Sequence, residues 1–158
     1  MTQTFLRYMD KCVPDVFRTM VGIEGTPGNG DHDAPRPSVL NGITGSVSLT
    51  GKVNGTVYAT YSPATAMSIA ERILGMSGLS DTDVSDVIGE LSNMITGNLK
   101  SQMADIGYNC QLSIPTVMRG DSIAVVVIDA PLSIRNTYFF PELADSITVQ
   151  AFVRIESN

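Results

Sequence analysis

Residues 82–105 constrain this chain most, because two stripes of opposite character run along one proline-free segment. At about 100° per residue, with Val84 as zero, Val84, Val87, Ile88, Leu91, Met94, Ile95 and Leu99 fall within roughly 80° of it on one side or 60° on the other. That spacing predicts a helix with a buried stripe. Asp83, Asp86, Glu90, Asn93, Gly97 and Ser101 fall between about 180° and 260°, nearly opposite. Ser80-Asp81 supplies the start and Gly107 the stop. A helix of this kind needs a second layer for its apolar side.

The rest of the chain supplies that layer. Residues 4–21 have helical spacing through Phe5, Met9, Cys12, Val13, Val16, Phe17 and Met20. Pro14 removes a hydrogen bond there, which predicts a kink or two short helices. Residues 24–38, rich in Gly, Pro and Asp, read as a surface loop that leaves His32 solvated. Two alternating runs, 43–50 and 56–61, read as a hairpin joined by Gly51-Lys52-Val53-Asn54-Gly55. Ser62-Pro63 opens a second helix with an Ala66, Met67, Ile69, Ala70, Ile73, Leu74 stripe, ended by Gly75 or Gly78. Residues 109–114, 122–129, 132–140 and 146–156 are strand-like. The expected fold is α+β: one domain over 1–158, a mostly antiparallel sheet with three main helices packed on one face.

Composition removes several functions. Ten Lys and Arg against 16 Asp and Glu give a formal charge of −6, with no basic run to meet nucleic acid or an anionic membrane. No apolar stretch is long enough to span a bilayer. The first residues lack the pattern of a secretory signal, so a cytoplasmic protein is expected. Cys12 and Cys110 lie far apart and read as small buried hydrophobes in a reducing compartment. With one histidine and two distant cysteines no metal site is expected, and a Ser-His-Asp triad could form only through His32.

The polar stripe is less ordinary than a solvated helix face. Asn93 and Gly97 are poor helix formers at exposed mid-helix positions, where propensity should decide. Asp86 and Glu90 are like charges one turn apart. Gly97 leaves a flat spot where another backbone could approach. Such a face reads as a binding or catalytic surface. Asn98 falls inside the apolar stripe and reads as a buried amide bonded to backbone. An exposed face offers no burial to split two carboxylates into acid and base. A carboxylate can instead dock on a partner's cation, while a carboxamide one turn away holds a water in line with a bond to be broken. The electrophile and its metal ion would then come with the substrate.

The run Asp86-Val-Ile-Gly-Glu90-Leu-Ser-Asn93-Met-Ile-Thr-Gly97-Asn98, with Pro115 about twenty residues later, resembles the signature helix of the CheC/CheX/FliY phosphatases of bacterial chemotaxis. The order of N-terminal helix, Gly-rich hairpin and Ser62-Pro63 helix extends the resemblance over most of the chain. Glu71, Glu142 and Glu156 have no Asn three residues on, so the motif occurs once, unlike the doubled motif of the CheC branch and like the homodimeric CheX branch. The resemblance implies dephosphorylation of the phospho-Asp of a CheY-type response regulator in chemotaxis signalling. Glu90 would pair with the regulator's active-site Lys and Asn93 would orient the attacking water. Asp86, Gly97 and Pro115 would contact the partner. The Mg²⁺ would belong to the regulator, and the chain would need no cofactor of its own. The alternative is a non-catalytic adaptor like the FliM middle domain, which binds a regulator or switch component and lacks the motif. A homodimer is expected through the C-terminal strands, since the run Ile123 to Ile128 is continuously hydrophobic and needs cover on both faces. The competing expectation is a monomer whose edge is guarded by Pro131 or Pro141.

Overall fold

A computed structural model gives the structure of residues 1–157. The elements run α1 (Thr2–Met20), β1 (Thr26–Pro27), β2 (Ser38–Gly51), β3 (Val53–Tyr61), α2 (Pro63–Leu74), α3 (Asp81–Asp105), β4 (Cys110–Leu112), β5 (Thr116–Val125), β6 (Leu132–Phe139) and β7 (Ile147–Ile155). All strand pairs are antiparallel, in the order β1-β6-β7-β3-β2-β4. The long β2 also pairs with β5, which takes residues 38–46 while β4 takes 49–51. The expected α+β class with three helices on one sheet face is what forms.

Alternation along the strands sends Val53, Val57, Ala59 and Tyr61 of β3, and Ile147, Val149, Ala151 and Val153 of β7, into one core. The helices close it with Phe5, Met9 and Phe17 of α1, Ile69 of α2, and Ile88, Leu91, Ile95 and Leu99 of α3. Local chemistry agrees with this packing. Ser62 Oγ accepts from Thr65 N at 3.1 Å, with Pro63 in the first turn, and Gly75 ends α2 in the left-handed region. Ser80 and Asp83 form a reciprocal capping box at the start of α3.

Several expectations change. α1 is one uninterrupted helix with Pro14 inside and buried. Its continuous apolar stripe is buried on both sides of Pro14, which outweighs one missing hydrogen bond. The hairpin connection is close to the one expected: β2 and β3 pair up to Leu49 and Gly55, and Gly51 N and O both bond the Asn54 amide and close the turn. Residues 24–38 are not a free loop. β1 pairs β6, Asp31 and Arg135 exchange two backbone hydrogen bonds, and Ala34 is buried, so the segment lies along β6. His32 is nonetheless exposed. Strand β5 starts at Thr116, earlier than the 122–129 run, because residues 116–119 pair with residues 43–46 of β2, while the extension of β2 back to Ser38 pairs with the end of β5 at Val125.

Candidate functional site

α3 is held on its inner side by more than its apolar stripe. Gly89, Ser92 and Thr96 fall at roughly 80–140° on the wheel and are all buried. Ser92 Oγ bonds Ile88 O at 2.9 Å and Thr96 Oγ1 bonds Ser92 O at 2.8 Å, so each hydroxyl is satisfied within the helix. Gly45 of β2 lies directly beneath, and a Cβ built there would collide with Ser92 Oγ. A Cβ at Gly89 would sit 3.5 Å from Val117 and 3.8 Å from Pro115. These small residues let the helix lie close on the sheet. Sequence periodicity missed them because Ser, Thr and Gly carry no hydropathy signal.

A second restraint acts at the helix start. Arg119 of β5 donates to Asp81 O at 2.7 Å and to Ser85 Oγ at 3.0 and 3.1 Å. Its guanidinium is also 3.7 Å from the Asp81 carboxylate. The fork ties the β5 strand to the first turn of α3.

The outer stripe faces away from the core, but less openly than expected at Asn93 and Gly97, which the neighbouring 112–117 segment partly shields. Asp86 and Glu90 are exposed, and Asn93 and Gly97 are half-buried. Gly97 is flanked by Leu112, whose methyl would lie 3.9 Å from an added Cβ, so the flat spot has a wall on one side. Pro115 is exposed beside Gly89, next to Ile114, which is 85% exposed. The five residues singled out in the sequence therefore share one surface, with the 112–117 segment along one flank of the helix.

Among the described residues, Asp86 and Glu90 have no ion-pair or hydrogen-bond partner. On the other two helices the arginines of the last turns are paired, Arg18 with Asp15 and Glu24 and Arg72 with Glu142. Two adjacent carboxylates without a counter-charge make a site for an incoming cation.

Asn98 is exposed, against the expectation of a buried amide. The wheel gives the side of the helix and not how far its cover extends. Ile73 and Leu74, at the end of α2, lie beside Val87, Leu91 and Met94, and Asn98 is one turn beyond Met94. What these side chains leave is a groove of about 330 Å³, lined also by Met20, Asp83, Asp86 and Glu90. No single stretch of sequence signals this groove, because its walls come from three separate helices.

The thiols offer no nucleophile. Burial, with Asp15 nearby, pushes Cys12 up to about 12, and burial also raises Cys110. No three His, Cys, Asp or Glu among the described residues are grouped to hold a metal ion. No described helix is long and apolar enough to cross a membrane.

The family described as "Chemotaxis phosphatase CheX" matches residues 43–134. The CheY-P phosphatase CheX of Thermotoga maritima is 24% identical over 131 residues, covering 77% of this chain and 82% of that protein. A chemotaxis protein CheX from Desulfovibrio desulfuricans superposes with a TM-score of 0.84 at 22% identity, over 96% of this chain and 99% of that one. The CheX of a CheX-CheY-BeF₃-Mg²⁺ complex from Borrelia burgdorferi superposes at 0.76 with 17% identity, over 95% and 97%.

Proposed function

The chain belongs to the chemotaxis phosphatase CheX family, and from that premise we propose that it dephosphorylates the phospho-aspartate of a CheY-type response regulator in the cytoplasm. The observation that carries this reading is the pairing of Glu90 and Asn93 one turn apart on the open side of a helix whose other side is fixed to the sheet. The Glu90 carboxylate takes the ammonium of the regulator's active-site Lys. That contact brings the Asn93 carboxamide into the regulator's site, where it holds a water in line with the phosphorus. The water oxygen forms the new P–O bond and the acyl-phosphate P–O bond breaks. The regulator's carboxylate and inorganic phosphate are released, and the water's proton leaves with phosphate or solvent. Mg²⁺, held by the regulator, neutralises charge on the phosphoryl oxygens. The chain contributes position and one hydrogen-bonding group, and these suffice because orientation can be worth several kcal/mol of barrier.

Asp86, Gly97 and Pro115 border the same contact. Asp86 adds charge, Gly97 admits the partner's backbone, and Pro115 with Ile114 offers apolar surface. Glu90→Ala is expected to weaken binding to a receiver activated with BeF₃⁻ and Mg²⁺, and to weaken it less at high salt, where the wild-type contact is already screened. Titration of the activated receiver into both proteins checks this, and equal affinities contradict the docking role. Binding without any acceleration of phospho-receiver decay would favour the adaptor function instead.

A homodimer through β5 completes the reading. That strand lies at the sheet edge, and the run through its end at Val125 and on to Ile128 alternates half-buried Ile123, Val125 and Val127 with exposed Ala124, Val126 and Ile128. Val126 and Ile128 are 62% and 78% exposed, and Val39, paired with Ala124, is 56% exposed. A two-fold copy would cover this apolar face and pair the free edge, leaving α3 open. Light scattering is expected to give twice the 16.9 kDa chain mass. A mass near one chain contradicts the dimer and leaves the phosphatase reading standing.

A further inference from the structure

We infer that the groove beside Glu90 is a second anchor for the receiver, taking an apolar side chain that lies next to a basic residue on the receiver's surface outside its active site. The inference rests on the reading of Glu90 and Asn93 as the receiver-docking stripe. The groove lies between the last turn of α1, the last turn of α2 and the first half of α3. Its floor is Val87, Leu91 and Met94, and its walls are Met20, Ile73 and Leu74. Met20 and Leu74 are 37% and 46% exposed.

Two observations select the receiver as the occupant. The first is continuity: Asp86 and Glu90 border the groove and also belong to the outer stripe. A receiver seated with its Lys on Glu90 must therefore extend over the groove or over the Pro115 flank. The second is charge. Asp83, Asp86 and Glu90 line one side of the opening. Asp83 is committed to the Ser80 amide, whereas Asp86 and Glu90 have no cation among the described residues. One lysine can neutralise Glu90 and leaves Asp86 unmatched. An apolar side chain flanked by a second cation matches both the groove and that carboxylate. Charge contributes speed and register, and the apolar contact contributes affinity.

The groove also separates docking from chemistry. Its apolar residues touch neither the attacking water nor the phosphoryl group, so they set affinity and leave the turnover of the bound complex alone. An enzyme with one water-positioning amide could in this way discriminate among receivers whose active sites are alike.

Leu74→Ser and Met20→Ser test the inference, one on each wall and each at a partly exposed site. The affinity for a CheY-type receiver carrying BeF₃⁻ and Mg²⁺ is measured alongside turnover of the phosphorylated receiver at saturation and a thermal melt. Leu74→Ser and Met20→Ser are each expected to weaken binding about tenfold, since the two side chains offer similar apolar surface, with saturated turnover within about twofold of wild type. If Leu74→Ser does not fold, Met20→Ser carries the test. Wild-type affinity in a folded variant overturns the inference, as does failure of the wild-type chain to bind the activated receiver. Loss of the dimer in place of loss of receiver binding also overturns it, because a second copy would then fill the groove. Tight, groove-dependent binding with no turnover sinks the catalytic reading and leaves the groove assignment intact.

Discussion

Helices α1 and α3 lie on the same face of the sheet and bury similar apolar stripes, yet their outer faces differ. On α1, Arg18 is 2.8 Å from Asp15 and 3.2 Å from Glu24, so charge is matched locally. On α3, Asp86 and Glu90 stand one turn apart with no counter-charge, followed by Asn93 and Gly97, which helices disfavour. The first surface serves the stability of its own chain. The second gives up some of that stability and is held in place from behind by Gly45, Ser92 and the Arg119 fork. A helix fixed on one side can carry an unfavourable sequence on the other, which is the combination the proposed docking surface requires.

The largest effect should come from disturbing the fixed side. Gly45→Val places a branched side chain where Ser92 already sits, and overpacking of this kind costs roughly 2–3 kcal/mol. Urea unfolding is expected to show that loss, with phosphatase activity falling as well because α3 is displaced. An unchanged midpoint would mean that the helix is not seated through this contact.

The outer faces should respond with opposite signs and smaller sizes. Arg18→Ala removes an exposed ion pair and is expected to cost about 0.5 kcal/mol. Asp86→Ala removes a like-charge neighbour and adds a better helix former, for a gain of about 0.5 kcal/mol. Paired thermal melts check this: a loss on both helices would mean that the α3 stripe is an ordinary stabilising surface.

Much of this contrast is legible in the sequence. Both stripes of α3 follow from spacing alone, as do the Ser62 and Ser80 caps, because periodicity and capping are local. Features that depend on distant segments were not legible. Asn98 lies at the angle of the buried stripe yet is exposed, one turn beyond the groove residue Met94. Pro14 sits in an unbroken helix because its neighbours are buried on both sides. Residues 24–38 gain order by lying along β6, about a hundred residues away in the chain. The small residues at Gly89, Ser92 and Thr96 become informative only once Gly45 and Pro115 are seen opposite them.

The central claim is that the open face of α3 performs chemistry through one carboxamide, and decay of a phosphorylated CheY-type receiver with Asn93→Ala tests it most directly. Asn93 is half-buried and no hydrogen bond to another described residue holds its side chain, so the variant should melt close to wild type. The variant should bind the BeF₃⁻-activated receiver with near-normal affinity while receiver decay slows by about a hundredfold or more, toward the unassisted rate. A folded Asn93→Ala protein that still speeds decay as the wild type does would contradict the account.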